Sequence, residues 1–123
     1  MSSLWGVPDM AVSQHFLDMI LDALQDFGSV STRRMFGGAG LFYGGVMFAL
    51  ITGETLYLKA DEVNRPDFED RGLLPFTYLR QGKDVALSFY EAPDDGFDDP
   101  DILVEWSRRA WEAAKRNKVG EKK

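Results

Sequence analysis

The residues whose types and spacing could do chemistry gather in one run, TRRMFGGAGLFYGG, residues 32–45. Arg33 and Arg34 could grip a carboxylate or a phosphate, because a guanidinium presents paired N–H donors. Gly37, Gly38 and Gly40 could let backbone amides close around an anion. A phosphate loop, however, needs a Lys-Ser/Thr pair opening a helix after its glycines. A dinucleotide loop must end a strand and open a helix. Here the glycines run on into LFYGGVMFALI, which reads as strand, and Gly82-Lys83 runs on into Asp84. The glycines therefore read as turns, a bulge or a close approach of strands. Neighbouring strand residues point to opposite faces, so Arg33 and Arg34 share one ligand only on a bulged strand. Otherwise one is solvated and the other pairs with an acid.

Other chemistries assemble less well. An EF-hand loop with Gly96 at its sixth position would put Glu91, Pro93 and Asp95 at the first, third and fifth, and Ile102 where a bidentate glutamate belongs. Asp99 and Asp101 have a simpler role opposing a helix dipole at its N-terminus, and Asp94, Asp95 and Asp98 read as a solvated loop or an acidic contact surface. His15 is the only histidine and cysteine is absent, which leaves zinc with carboxylates alone and a Ser–His–Asp unit without a nucleophile elbow. Neither a catalytic set nor a metal or other cofactor is expected. Trp106 and Trp111 sit about 140° apart around one helix. Either both pack, or one anchors the core while the other reaches an interface.

These residues must be positioned by a small number of elements. The 123 residues fit one domain, with a core from about residue 9 to 117 and a charged tail, 118–123, expected to fray. An apolar share of 45% suits a packed globule. A formal charge of −6 argues against broad attachment to nucleic acid or an anionic membrane, while leaving open a local basic face at residues 108–118. The start, MSSLWGVPDM, lacks the basic and apolar segments of a signal peptide, and no run approaches a membrane span, so the expected location is the cytoplasm.

Val12, Phe16, Met19, Ile20, Ala23, Leu24 and Phe27 recur at helical spacing, and Gly28 reads as the stop. Strands follow: residues 31–36 running toward 41–43, then 46–51 and 55–59, with Gly44–Gly45 and residues 52–54 as turns. VMFALI is apolar on both faces and should lie inside a sheet. A short helix near Pro66, anchored by Val63 and Phe68, precedes strands at 76–80 and 84–90. A last helix opens at Asp99-Pro100 and carries Ile102, Leu103, Trp106, Ala110, Trp111 and Ala114 on one face. The order α-β-β-β-α-β-β-α predicts an α+β domain with a mainly antiparallel sheet and helices packed on one face.

RRMFGG, supported by NRPDF, VALSFYEAPDD and DDPDILVEWSRRAWEAA, resembles the N-terminal domain of the TfoX/Sxy family, bacterial regulators of competence genes, over about residues 16–114. The resemblance implies a secretion-chaperone-like α+β fold and a non-enzymatic role as a transcriptional co-regulator. It implies a protein partner in the transcription machinery, such as a cyclic-AMP receptor protein at competence promoters, with a homodimer as a further option. Longer family members carry a second, helical domain suggestive of DNA contact. This sequence stops at Lys123, so the genes expected to respond need not be competence genes. The family offers no catalytic residues to carry over. Arg33, Arg34, Met35, Phe36, Gly37 and Gly38 are its markers here and, with Trp106 and Trp111, are the candidate interaction residues. The alternative is a small-molecule or anion site built from Arg33, Arg34 and the 37–40 segment.

Overall fold

Two glycines set a hairpin inside the sheet. Gly44 and Gly45 both have positive φ, 59° and 79°, so the chain reverses in two residues and Tyr43 pairs with Val46. The computed structural model describes residues 13–35 and 38–121. Within them α1 is Gln14–Ala23, β1 Ser31–Met35, β2 Gly38–Tyr43, β3 Val46–Thr52 and β4 Thr55–Lys59. Then come α2, Arg65–Asp70, β5, Pro75–Arg80, β6, Lys83–Glu91, a short 3-10 turn, Asp94–Phe97, and α3, Pro100–Glu121. The segment expected as one strand from residue 31 to 43 divides into β1 and β2, which pair with each other; the rest follows the predicted order.

The six strands form one sheet in the order β1-β2-β3-β4-β6-β5, every pairing antiparallel. β3 lies inside it, as its two apolar faces require, and β1 and β5 are the edges. The register sorts the side chains into two faces. Ala39, Leu41, Ala49, Ile51, Leu56 and Leu58 share one, and all are buried under the helices. A register shift between Leu41 and Phe42 adds Phe48 to this core, where its ring meets Phe27.

Each helix contributes to the same apolar core. α1 lays down Phe16, Leu17 and Ile20, α2 Phe68, and α3 Leu103, Val104 and Ala110. The buried stripe of α1 is rotated slightly from the expected one: Leu17 is buried and Met19 is exposed. Ser13 caps α1 through its hydroxyl, which accepts the Phe16 amide, and the helix ends at Leu24, with Gly28 standing beyond a further turn of chain. Val63, expected as an anchor, is 68% exposed, so Phe68 alone holds α2 to the core. At the start of α3, Asp99 accepts the amide of Asp101 and Pro100 occupies the first helical position, as the sequence indicates.

Candidate functional site

The other face of the sheet differs in chemistry from the helical one. The register places Arg33, Gly40, Leu50, Tyr57 and Glu91 in one row across five strands. Around this row stand Phe42 and Met47, Phe76, whose ring meets Tyr57 edge to face at 5.0 Å, and Phe89. A cation flanks each end: the Arg33 guanidinium lies 5.1 Å from the centre of Phe42, and the Lys59 ammonium 5.1 Å from Phe89. Leu50 is buried at the middle of the face, while Phe42, Met47, Tyr57 and Phe89 remain partly exposed. Burial, reinforced by the Glu91 charge, pushes the Tyr57 phenol above its ordinary pKa. Aromatic rings and methionines with cations at the margin suit recognition of another macromolecule.

The candidate residues separate into two groups. Arg33 and Met35 belong to this outer face and to edge strand β1, whereas Arg34, paired with Ala39, projects to the opposite face and is exposed. The two arginines therefore diverge, and the anion site that needs them together gains no support from their geometry. Phe36 and Gly37 lie outside the described residues. Gly38 begins β2 close against β3: a Cβ there would collide with the backbone carbonyl of Ile51. The glycine question is answered at this position by close strand approach.

Trp106 and Trp111 form the second group, on the helical side. Trp106 meets Phe68 edge to face at 5.1 Å, with the Arg71 guanidinium 5.4 Å from its ring. Trp111 packs on Tyr43 and donates its Nε1–H to the Tyr43 carbonyl at 3.0 Å, beneath the Lys115 ammonium at 3.6 Å. Both indoles therefore fasten α3 to the body, and both remain half-buried.

Most arginines outside β1 are engaged by acids. Arg71 pairs with Asp95, Arg108 and Arg109 with Glu105, Arg109 also with Asp67, and Arg116 with Asp61 through two hydrogen bonds of 2.6 and 3.0 Å. The basic face at residues 108–118 is thus partly neutralised by the chain's own carboxylates. Asp95, considered above for calcium, is committed to Arg71. Arg33 and Arg34 have no carboxylate partner among the described residues.

One knot was not visible in the sequence. Asp61 accepts the amides of Val63 and Asn64, while Asn64, almost fully buried, accepts the Asp61 amide and donates to the Lys59 carbonyl. The Arg116 guanidinium closes the loop from α3, and its hydrogen bonds hold the Asp61 carboxyl below its usual pKa. The D-x-x-N spacing was the available signal, since both side chains favour local backbone bonds. An open cleft of about 780 Å³ beside this knot is lined by Asp61, Arg65, Ser88 and Arg116 among others; neither β1 arginine borders it.

Residues 22–114 match the family model of the TfoX N-terminal domain. A curated relative, the DNA transformation protein TfoX1 of Aliivibrio fischeri, is 25% identical over 80 residues, covering 65% of this chain and 38% of that protein. The chain therefore spans well under half of that relative's length. No helix among the described residues is long and apolar enough to cross a membrane.

Proposed function

The chain belongs to the TfoX N-terminal domain family, and we propose that it is a regulatory module that binds a protein of the transcription machinery and transforms no substrate. The observation that carries this reading is the contrast among cations. Arg71, Arg108, Arg109 and Arg116 are matched with carboxylates, while among the described residues Arg33 and Arg34, inside the family's marker segment, have no acid partner at a sheet edge beside an aromatic face; Arg65 on α2 is likewise without one but lies away from that edge. Unmatched guanidinium groups next to exposed rings are what a protein interface uses as anchors. The name of the Aliivibrio relative, a DNA transformation protein, supports a place in the control of DNA uptake for the family. In this chain the same scaffold acts as a co-regulator, in a cytoplasm where polymerase and activator are reached directly.

The acidic balance and the internally paired arginines of α3 favour a protein partner over DNA. The test is binding of the purified protein to purified bacterial RNA polymerase and, separately, to a purified cyclic-AMP receptor protein. Capture of either, lost in an Arg33→Ala, Arg34→Ala double variant that retains its fold by circular dichroism, is the expected result. Capture of neither, together with a DNA mobility shift that survives physiological salt, would replace this reading with direct DNA binding.

A further inference from the structure

We infer that the free edge of β1 receives an extended acidic segment of the partner by strand addition. Among the described residues β1 ends the sheet, so alternate residues of Ser31–Met35 hold their N–H and C=O groups toward the open side. Four of its five residues are exposed and the fifth half-buried. The opposite edge is poorly suited to the same use: β5 opens with Pro75, which has no amide hydrogen, and its register breaks between Pro75 and Thr77.

Charge chooses the occupant. Arg33 and Arg34 occupy adjacent positions, so one guanidinium rises on the aromatic face and the other on the helical side of the same edge. A strand laid against β1 would meet a cation on each of its own faces, and two consecutive acidic residues satisfy both. A second copy of β1 is disfavoured by the same charges in the register centred on Arg33, because that antiparallel pairing sets the residue against itself with its neighbours' cations close by. On the aromatic face, the Phe42 ring beneath Arg33 holds the guanidinium over an apolar floor, where a carboxylate contact is less screened by water.

The inference rests on the reading of the domain as a protein-binding module, and the two fail separately. The probe is a short fluorescein-labelled peptide of alternating threonine and valine with a central Asp-Glu pair, titrated against the full chain by anisotropy. Saturable binding is expected, weakened about tenfold or more by Arg33→Glu with Arg34→Glu and by raised salt. That double variant should recover affinity for the same peptide carrying Lys-Lys. A peptide of identical charge whose alternate backbone amides are N-methylated should not bind, and β1 amides should slow their hydrogen exchange in the complex. Equal binding of the methylated peptide, no binding of the acidic one, or a dimer of the free protein that β1 substitutions dissociate would each overturn strand addition. If polymerase or receptor capture persists in any of those cases, the broader function stands; if the peptide binds and capture is absent, only the choice of partner falls.

Discussion

The indole Nε1–H of Trp111 donates to the backbone carbonyl of Tyr43 across 3.0 Å, and the two rings meet edge to face at 5.0 Å. This contact ties α3 to the end of β2, at the hairpin that Gly44 and Gly45 turn. Trp111→Phe keeps most of the packing but leaves a partly buried carbonyl without its donor, and should cost about 1–2 kcal/mol in urea unfolding. Trp111→Ala removes the ring as well and should cost about 3–5 kcal/mol. Because the tryptophan works on the helical side, the Phe variant should bind the acidic peptide as the parent does. A large loss of peptide affinity at unchanged fold would instead make Trp111 an interface residue.

Gly38 and Gly40 stand two residues apart on β2 and should respond differently to one added methyl. At Gly38 the new carbon collides with the Ile51 carbonyl, which cannot move without shifting β3. At Gly40 its nearest neighbours are the ends of Met35 and Met47, 3.1 Å away and able to change rotamer. Gly38→Ala should therefore destabilise by about 2–4 kcal/mol, and Gly40→Ala by about 1 kcal/mol or less. Equal midpoints for the two variants in urea would remove the close-approach account of Gly38.

Asp61 links folding to pH. The Arg116 guanidinium lowers its pKa in the folded protein, so the folded state holds the ionised form more tightly than the unfolded state does. The stabilisation is complete above the unfolded carboxylate value of about 4 and is lost as pH falls through the lower folded value. Asp61→Asn keeps an oxygen for the Val63 and Asn64 amides but loses the ion pair. It should cost on the order of 1 kcal/mol from pH 8 to 5, with the difference shrinking below about pH 4. A difference that is constant down to pH 2 would deny the ion pair its role.

The contrast between what could be read and what could not follows the range of the forces. Gly44–Gly45, Asp99-Pro100 and the stripe on α3 act within a few residues, and the structure places each where the sequence indicates. The sequence reads as one run from 31 to 43 because strand formers flank the Gly-Gly-Ala-Gly stretch on both sides, and only pairing in three dimensions divides it into β1 and β2. Val63 looked like an anchor by type alone, yet the Asp61–Asn64 turn directs it outward. The divergence of Arg33 and Arg34 was legible from the two-residue period of a strand; that they lack acids among the described residues, while Arg109 and Arg116 find Asp67 and Asp61 across 42 and 55 residues, was not.

Ser107 sits at the centre of the buried face of α3, fully enclosed, with its hydroxyl oxygen lacking a hydrogen-bond partner among the described residues. The stripe drawn from the sequence passed over it because serine is polar, yet its position between Leu103 and Ala110 places it on the sheet-facing side. A buried hydroxyl that makes no bond forfeits its solvation, and serine is also a weaker helix former than alanine. Ser107→Ala removes one oxygen and little volume, so no large cavity follows. The variant should be more stable than the parent by about 0.5–1.5 kcal/mol, seen as a higher urea midpoint at unchanged slope. Ser107→Val, which puts a methyl in place of the hydroxyl and adds a second methyl to a closed space, should lose about 1–3 kcal/mol and so separate polarity from volume. Destabilisation by alanine would mean that the hydroxyl makes a bond in solution.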